Sequence, residues 1–515
     1  MNKLQHYAEA TLALSKEEKV GQFFMPAAFI NNTEEEIQFI ENLIKKHHIG
    51  GLCFFHSRAS AATNFEGKKA VVHNEQSFDT LKRLIDRYQK ASKHPLLISI
   101  DAEWGLAMRV ENTPQYPYAI TLGALINNTD LIYQVGKSIA LDCKVAGIHW
   151  NLSPVVDINN NPNNPVIGYR SFGENREKVV EKANAFIAGT KSEGILTSIK
   201  HFPGHGDTAT DSHLGLPLIE KSKEELLEHE LYPFASLIKQ NNVDAVMVGH
   251  LSVPALSNGK KEPATISKAI IDGVLRKELG FKGVVISDAL NMHSVSKMFP
   301  VKGELEWTAF DAGNDILCFT EDVAEGVKTI LKNATETQIK AAFKRIWKLK
   351  EKVLAQPFSE NQKLTSPAAL NKKIAQESLT MFQGNDESIA SFRKDGFSKV
   401  VLGKEIENRF FKSILDETEN KDNVLVALFP PKIKPKDNFE IPDADLENLK
   451  RLLDTKNVVL YLFGNPYVLN ILNFEKAIAV VIAYQDFEGF QENAGNHFLG
   501  KTKAKGKLPV AIAFK

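Results

Sequence analysis

Short apolar runs rich in β-branched and aromatic residues recur along the first two thirds of the chain. They are "GQFFMPAAF" near residue 21, "IGGLCFF" near 49, "LLISIDAEWG" near 96, "GIHWNLSPV" near 147, "LTSIKHFPGHG" near 196, "DAVMVGHLSVP" near 244, "GVVISDALNM" near 283 and "NDILCFT" near 314. Amphipathic stretches separate them, two of which begin with capping boxes, Thr33 with Glu36 and Ser222 with Glu225. Apolar runs without alternation are typical of buried parallel strands, so the pattern predicts an α/β fold with a (β/α)8 TIM-type barrel.

A second α/β pattern follows a polar, proline-containing segment, "QPFSENQKLTSPAALNK". Its apolar runs are "KVVLG" near 399, "NVLVALF" near 423, "NVVLYLFG" near 457, "AIAVVIAY" near 477 and "LPVAIAF" near 508. They predict a smaller α/β sandwich domain, a sheet covered by helices on both faces. We therefore expect a catalytic barrel over 1–355, a linker over 356–372 and a C-terminal sandwich domain over 373–515.

The net charge and the apolar runs of the chain indicate which classes of binding partner to expect. Lys plus Arg and Asp plus Glu both number 63 among 515 residues, so the formal net charge is zero. No global field attracts nucleic acid or an anionic membrane, and no run approaches the roughly 20 apolar residues of a membrane helix. We expect a small, uncharged polar substrate and no nucleic-acid or membrane partner. The amino terminus has no signal-peptide pattern, so a cytoplasmic location is expected, or a periplasmic or secreted one if a signal peptide was removed.

Polar residues stand where the predicted barrel strands end, and in this fold the active site lies at those carboxyl ends. They are Asp101, Asn151, Lys200, His201, His250 and Asp288. A single such residue is more often a satisfied polar group in a turn, but their convergence favours a site. Asp288 in "GVVISDALNM" could attack an electrophilic carbon, or it could cap the following helix.

The stretch "KHFPGHGDTATDSH", residues 200–213, adds a candidate proton donor. Gly204 and Gly206 allow unusual φ values in its loop. In "DSH", Asp211 can hold the imidazole of His213 through an N–H, as in an Asp-oriented general acid and base. Five residues here are also plausible zinc ligands: His201, His205, Asp207, Asp211 and His213. Pro203 and Gly204 exclude the helix that "HxxxH" would need, which favours a site without metal, and no phosphate-loop pattern is present. No cofactor is expected.

Two further segments supply hydrogen-bonding groups. "DAEWGLAMR" contains Asp101, which can accept two hydroxyl hydrogen bonds, and Arg109, a fork of donors, while "GYRSFGEN" contains Arg170. Charged groups of this kind hold a neutral polyol such as a sugar through strong hydrogen bonds. The alternative for both arginines is a surface ion pair.

The motifs together resemble glycoside hydrolase family 3, and within it the bacterial β-N-acetylhexosaminidases. "KHFPGHGDTATDSH" is similar to that subgroup's signature and "GVVISDALNM" to its nucleophile segment. The resemblance extends through "DAEWGLAMR", "GYRSFG" and "AGNDILCF" into the second domain, where "IAQESLTMFQ" and "GKLPVAIAF" look like the family's helix and final strand.

Carried over by motif, the resemblance implies a retaining exo-β-N-acetylglucosaminidase acting on muropeptides or chitin oligosaccharides. Asp288 would be the nucleophile, and His213, oriented by Asp211, the acid/base. The terminal N-acetylglucosamine would be bound by Asp101, Arg109, Arg170, Lys200, His201 and His250.

The sequence departs from the subgroup in two places. Trp104 stands where the subgroup has a glycine, and a second domain is present, whereas many members are a barrel alone. In two-domain relatives outside the subgroup that domain supplies a glutamate acid/base, for which Glu488 or Glu492 would be the candidates. The alternatives are therefore a β-N-acetylglucosaminide phosphorylase, a β-glucosidase using such a glutamate, or a catalytically silent sugar-binding protein.

Overall fold

The chain folds into two compact units. A computed structural model describes residues 4–56, 73–208, 215–354, 363–414 and 422–512. One unit comprises residues 1–115, 135–157 and 183–365, and the other comprises residues 116–134, 158–182 and 366–515. The boundaries expected from the sequence, at 355 and 373, stay a prediction.

Short parallel strands form the first unit's sheet. They are β1 (Phe24–Met25), β2 (Ala27–Phe29), β3 (Gly51–Phe55), β4 (Leu97–Ile100), β5 (Trp150–Asn151), β6 (Leu196–Phe202), β7 (Ala245–Val248), β8 (Val284–Ser287) and β9 (Leu317–Cys318). Every one of the eight predicted runs contains one of these strands, and Pro26 divides the first run into β1 and β2.

The strands follow one another in chain order around a curled sheet. Neighbours from β2 to β8 pair in parallel, and β1 pairs in parallel with β9. A bridge between Ile286 and Ile316 joins β8 to the segment leading into β9. Because β1 and β2 belong to one run, these pairings bring the last strand beside the first. The predicted TIM-type barrel is confirmed, and its carboxyl strand ends share one face.

Helices alternate with these strands. Up to residue 354 they are α1 (Tyr7–Ala13), α2 (Lys16–Gly21), α3 (Glu34–His47), α4 (Ser77–Ala91), α5 (Ala119–Gly123), α6 (Thr129–Ala146), α7 (Arg176–Ser192), α8 (Lys223–Glu228), α9 (Tyr232–Lys239), α10 (His293–Ser296), α11 (Glu304–Ala312), α12 (Val323–Asn333) and α13 (Glu336–Leu354). A π-helix spans Ala269–Glu278, and 3₁₀ turns span Leu106–Met108, Gly168–Arg170 and Ala264–Ile266. Both predicted capping boxes are present, at the starts of α3 and α8. Across the described ranges, no helix combines the length and apolarity that crossing a membrane demands.

The second unit contains a five-stranded sheet in the order β10-β14-β13-β12-β11. Its elements are α14 (Ala368–Ser378), β10 (Thr380–Gln383), α15 (Asp386–Lys394), β11 (Ser398–Gly403), α16 (Arg409–Lys412), β12 (Asn423–Phe429), α17 (Asp443–Thr455), β13 (Asn457–Leu462), β14 (Ala479–Ile482) and α18 (Glu488–Phe498). A left-handed turn lies at Lys436–Glu440, and 3₁₀ turns lie at Pro466–Ile471 and Phe474–Lys476. One face of the sheet packs against α15, α16 and α18, while α17 packs against β11 and β13 with leucines outside that core. The predicted α/β sandwich is confirmed.

One predicted strand of this sheet is wrong. Residues 508–512, the described part of "LPVAIAF", form no strand, and the fifth strand is β10, which pairs antiparallel with β14. The segment bonds elsewhere in the same unit: the Glu174 N–H donates to the Pro509 carbonyl at 3.0 Å, and the Ala511 N–H donates to Glu174 Oε2 at 2.7 Å. Its apolar pattern therefore reflects packing beside a loop rather than a place in the sheet.

Candidate active site

A buried lysine joins two carboxylates at the carboxyl ends of β4 and β6. Lys200 is 2% exposed, and its Nζ lies 2.8 Å from Asp101 Oδ1 and 2.8 Å from Glu103 Oε1. From the other side of Asp101, Arg109 Nη2 donates to Oδ2 at 3.1 Å. The Arg109 guanidinium lies 3.8 Å from the centre of the Phe55 ring, a cation–π contact that fixes its plane. Arg109 is thus part of this cluster, not a surface ion pair.

The two cations keep Asp101 ionised. Burial opposes its charge, but Lys200 and Arg109 outweigh that effect, and the pKa of Asp101 lies below its usual value even though Glu103 raises it. An ionised carboxylate accepts charge-assisted hydrogen bonds from hydroxyl groups, and the neighbouring ammonium and guanidinium can donate to the same groups. The cluster is therefore suited to a neutral, hydroxyl-rich ligand.

Asp157, which is fully buried, organises the start of the glycine-rich loop. Its Oδ2 lies 2.7 Å from His201 Nδ1, and the His201 backbone N–H donates to both carboxylate oxygens at 3.1 Å. The His205 backbone N–H donates to Oδ1 at 2.8 Å. Burial opposes the charge of Asp157, but His201 and these donors lower its pKa. An ionised Asp157 accepts the Nδ1 proton, which fixes the tautomer of His201 and leaves Nε2 on the opposite side of the ring.

Asp288 directly follows β8, and a buried histidine lies behind it. Asp288 is half-buried; its Oδ1 accepts from the Ala289 N–H at 2.7 Å, and its own N–H donates to the Val248 carbonyl at 2.9 Å. His250, which is fully buried, has Nε2 2.9 Å from the Ala289 carbonyl and Nδ1 2.7 Å from Thr265 Oγ1. The histidine thus supports the turn that presents Asp288. A bond from His250 to a sugar stays a prediction.

The surroundings of Asp288 strongly favour its ionised form. Burial opposes the charge, but His250, His201, the Ala289 N–H and Lys200 together lower the pKa of Asp288 to about 2. The carboxylate is therefore ionised throughout the neutral range. An ionised, partly desolvated carboxylate beside a hydroxyl-binding cluster has the properties of a nucleophile.

Two alternatives from the sequence can be compared with this geometry. Helix α10 begins at His293, with Met292 at its N-cap, so Asp288 caps its own turn and not that helix. Asn151 lies at a strand end as expected, but its amide exchanges two hydrogen bonds with the Ala102 backbone, at 3.0 and 3.1 Å. Asn151 therefore positions the segment that follows Asp101.

Arg170, Asp211 and His213 complete the set of predicted site residues. Arg170 belongs to the second unit, where its Nη1 donates to the Val166 carbonyl at 3.3 Å. Asp211 and His213 lie outside the described residues. The roles expected for these three residues stay predictions.

Several of the possible zinc ligands have other partners. His205 Nδ1 lies 2.8 Å from Thr208 Oγ1, and Asp207 Oδ2 lies 2.5 Å from Lys221 Nζ. His201 is bound to the buried carboxylate described above. These three side chains are thus held by three different groups, Asp157, Thr208 and Lys221.

Sequence reasoning missed Asp157 and Glu103. Asp157 follows the predicted strand "GIHWNLSPV" by two residues, and the structure shows the chain continuing beside β6, where Val155 bridges Lys200. The only hint in the sequence was an aspartate directly after "SPVV". The apolar run gave no reason to expect that the chain continues along the sheet as far as Asp157. Glu103 stands two residues after Asp101, and nothing in the local pattern indicated that Lys200 lies between them.

Comparison with known proteins defines the family. A family model described as the glycosyl hydrolase family 3 N-terminal domain matches residues 15–349, well over half of the chain. The chain belongs to glycoside hydrolase family 3, and the resemblance noted in the motifs is confirmed.

Several β-hexosaminidases are similar in sequence to this chain. Beta-hexosaminidase A of Pseudoalteromonas piscicida is 35% identical over 291 residues, which are 54% of this chain and 46% of that protein, so the chain spans about half of that relative's length. The β-hexosaminidase of Psychromonas ingrahamii is 34% identical over 266 residues, 50% of this chain and 76% of that protein. A solved glycoside hydrolase family 3 β-N-acetylglucosaminidase from Paenibacillus sp. str. FPU-7 has a TM-score of 0.77 and 26% identity, covering 98% of this chain and 100% of that one.

Proposed function

We propose that the protein is a retaining exo-β-N-acetylglucosaminidase that removes terminal β-linked N-acetylglucosamine from muropeptides or chitin oligosaccharides. The observation that carries this proposal is the ionised Asp288, half-buried at the end of β8. Lys200 lowers its pKa and also contacts Asp101, which links the nucleophile to the hydroxyl-binding cluster. The similarity to β-hexosaminidases over the barrel supports the choice of sugar.

In the first step Asp288 attacks the anomeric carbon. A carboxylate oxygen forms a bond to that carbon while the bond to the leaving oxygen breaks, giving a glycosyl ester on Asp288. The leaving oxygen takes a proton from the imidazolium of His213, which Asp211 orients. Sugar hydroxyls are held by Asp101, Lys200 and Arg109, with His201 Nε2 and Arg170 as further donors.

In the second step water releases the sugar. His213, now neutral, accepts a proton from water, whose oxygen bonds to the anomeric carbon as the ester bond to Asp288 breaks. Two displacements at one carbon retain the β configuration. Because the acid/base is a histidine, a rule based on the distance between two carboxylates does not apply, and retention follows from the nucleophile.

Glu488, the candidate acid/base of a β-glucosidase, has a different environment. It begins α18, its side chain is 59% exposed, and Oε1 lies 2.8 Å from Arg409 Nη1. The side chain of Glu488 is thus engaged in an ion pair with Arg409 at the surface of the second unit. This favours His213 as the acid/base.

The direct test is release of nitrophenol from the β-N-acetylglucosaminide and from the β-glucoside, each with and without phosphate, with the sugar product identified. We expect preference for the acetamido sugar and free N-acetylglucosamine as product under both conditions. A sugar 1-phosphate would make the protein a phosphorylase. Preference for the glucoside, or no release from either substrate, would contradict the proposal.

Variants separate the candidate acid/base groups. Asp288→Ala and His213→Ala are expected to lose activity by at least 1,000-fold on the nitrophenyl N-acetylglucosaminide while remaining folded by circular dichroism. Glu488→Ala should keep activity within about 3-fold. If Glu488→Ala is the inactive variant instead, the assignment of His213 is wrong.

A further inference from the structure

The imidazole of His250 is fully buried and is bonded through both of its ring nitrogens. Nε2 lies 2.9 Å from the carbonyl oxygen of Ala289, the residue that follows Asp288. Nδ1 lies 2.7 Å from Thr265 Oγ1. The protons on this ring therefore depend on what each of the two partners can accept.

The bond at Nε2 requires a proton on that nitrogen. A carbonyl oxygen carries lone pairs and no hydrogen, so the Ala289 carbonyl can only accept and Nε2 of His250 must donate. One N–H is compatible with a neutral ring, because neutral imidazole carries a single proton on nitrogen. The charge of His250 is therefore decided at Nδ1.

The hydroxyl of Thr265 has backbone acceptors for its single proton. Oγ1 donates toward the Gly249 carbonyl at 3.0 Å and toward the Val248 carbonyl at 3.3 Å. The Val248 carbonyl also accepts the N–H of Asp288, at 2.9 Å. A hydroxyl that donates to Gly249 turns a lone pair toward His250, whose Nδ1 then donates too. Both ring nitrogens then carry protons, and the ring is an imidazolium.

A buried positive charge needs a negative charge nearby, and Asp288 provides it. Burial opposes the charge of the Asp288 carboxylate, and His250 is the strongest of the influences that outweigh burial and lower its pKa. His201 and Lys200, which follow from β6, act in the same direction. The cation and the carboxylate thus stabilise each other.

The strand on the other side of Asp288 adds no charge. Cys318 of β9 lies close enough to feel both Asp101 and Asp288. The neighbouring thiol of Cys53, burial and these carboxylates all raise the pKa of Cys318, so its thiol is neutral. Among the described groups, the charges around Asp288 are therefore those of the two histidines and Lys200, together with the Asp101 cluster.

Thr265 is held in place from the side away from His250. It is fully buried, and its carbonyl accepts from Asn314 Nδ2 at 2.8 Å. The same amide donates to the Ala309 carbonyl of α11 at 2.6 Å. The Thr265 hydroxyl could leave His250 only if buried hydrogen bonds were broken, which is costly.

His149 provides a contrast within the same unit. It is 5% exposed, and its Nδ1 accepts from the Ile98 backbone N–H at 3.0 Å, so that nitrogen carries no proton. Burial lowers the pKa of His149 to about 3, and its ring is neutral at pH 7. The two buried histidines thus differ in whether Nδ1 meets a donor or an acceptor.

We propose that His250 is a buried imidazolium whose charge holds Asp288 in the ionised form, and that the Thr265 hydroxyl keeps the second proton on this ring. This rests on the proposed function, in which Asp288 is the nucleophile. His250 is a positioning residue that acts through Asp288. Its charge also favours the return of the carboxylate when water breaks the glycosyl ester.

The charge can be measured directly by ¹⁵N NMR of protein labelled at histidine, which counts the protons on each ring. His250→Asn and His149→Asn assign the two sets of signals. At pH 7.5 we expect two ring N–H groups at His250 and one at His149. A single ring N–H at His250 would overturn the proposal.

The effect on Asp288 is measured by the pH dependence of kcat/KM on the dinitrophenyl N-acetylglucosaminide. This constant reports the free enzyme, and a good leaving group needs little protonation, so a loss at low pH reports protonation of Asp288. Wild type should be nearly constant from pH 7 to pH 4, because the pKa of Asp288 is about 2. His250→Asn should lose at least 3-fold over this range, since removal of a nearby cation raises a carboxyl pKa. Circular dichroism at each pH confirms folding, and parallel profiles would overturn the proposal.

Thr265→Val and Thr265→Ser form a matched pair that serves even if His250→Asn fails to fold. Valine has the shape of threonine but offers no acceptor to Nδ1, whereas serine keeps the hydroxyl. We expect Thr265→Val to lose at least 2-fold in kcat/KM between pH 7 and pH 4, and Thr265→Ser to match wild type. Identical profiles for the two variants would overturn the role of Thr265.

Asp288→Ala separates failure of this inference from failure of the proposed function. If Asp288→Ala keeps its activity, Asp288 is not the nucleophile and the proposed function fails, whereas the NMR result, which needs no substrate, still reports the charge of His250. If Asp288→Ala is inactive while the His250→Asn profile parallels that of wild type, only the inference about His250 is overturned.

Discussion

Asp157 shows how one buried carboxylate can fix the direction of two histidine-bearing peptide units. It accepts from the ring and backbone of His201 and from the backbone of His205. An asparagine has the same size but offers one carbonyl oxygen and an amide that cannot accept. The His201 ring would then lose the partner that fixes its tautomer.

We expect Asp157→Asn to lower kcat/KM on the nitrophenyl N-acetylglucosaminide by about 10- to 100-fold and the free energy of unfolding by about 2–4 kcal/mol. Asp142→Asn is the matched control, because Asp142 is equally buried but accepts from the backbone and hydroxyl of Thr365, within the predicted linker, at 2.7 and 2.9 Å. It should lose stability and keep activity. Wild-type kcat/KM in Asp157→Asn would show that the carboxylate has no part in the site.

Among individual site residues, the sequence predicted those that directly follow a strand and missed those that do not. Asp101, Lys200 and Asp288 follow apolar runs directly, so the barrel topology alone brings them to one face. Asp157 reaches the site because the chain continues beside β6 after β5 has ended. Glu103 belongs to the site because Lys200 lies between its carboxylate and that of Asp101. Such contacts depend on three-dimensional packing, which periodicity does not encode.

The loop after β6 depends on Gly204 for both conformation and space. Its φ of +125° is one that other residues rarely adopt, and a Cβ would meet the nearly buried Glu230. Two costs therefore add at one position. Gly259 differs in having positive φ, +83°, and nothing within 4 Å of its Cβ position.

We expect Gly204→Ala to lower the free energy of unfolding by about 2–5 kcal/mol, combining backbone strain with overpacking. Gly259→Ala should cost about 1–2 kcal/mol, from strain alone. Urea unfolding followed by tryptophan fluorescence measures both. Equal losses in the two variants would mean that Glu230 moves aside freely when a Cβ is added at Gly204.

Whole elements were more predictable than contacts. The eight barrel runs and both capping boxes stand where the pattern places them, since burial on all sides and local capping leave clear signals. The "LPVAIAF" strand is absent over its described residues, and β10 took its place in the sheet. A single apolar run shows that a segment is buried, but not which partner supplies its backbone hydrogen bonds.

The sequence pattern did not predict which segments of the chain belong to which of the two units. Residues 116–134 and 158–182 belong with the C-terminal sandwich, although they lie between barrel strands in the chain. Their assignment depends on contacts between segments hundreds of residues apart, such as Gln485 Nε2 donating to Thr121 Oγ1 at 2.8 Å. Long-range pairs of this kind carry no local signature.

A buried lysine links the stability of the first unit to pH. Lys350 is fully buried, and its Nζ donates to Gln22 Oε1 and the Pro95 carbonyl, at 2.5 and 2.8 Å. Burial lowers its pKa from 10.5 to about 7. Between pH 7 and 10 the unfolded chain binds more protons at this residue than the folded chain, so stability rises with pH.

We expect Lys350→Met to lose a pH-dependent contribution on the order of 4 kcal/mol across pH 7 to 10, relative to wild type. Lys348→Met is the control on the same helix, since Lys348 is half-exposed and pairs with Glu351. Urea unfolding at pH 7, 8.5 and 10 measures the difference. Parallel curves for wild type and Lys350→Met would show that Lys350 stays charged in the folded state.

The central claim is that Asp288 forms a covalent bond to the sugar. The most direct measurement is incubation with a fluorinated N-acetylglucosaminyl fluoride, which forms the glycosyl-enzyme quickly and releases it slowly, followed by proteolysis and mass spectrometry. The account predicts one adduct per chain on the peptide containing Asp288, and none in Asp288→Ala. An adduct on another residue, or rapid turnover of the natural sugar with no adduct at all, would contradict it.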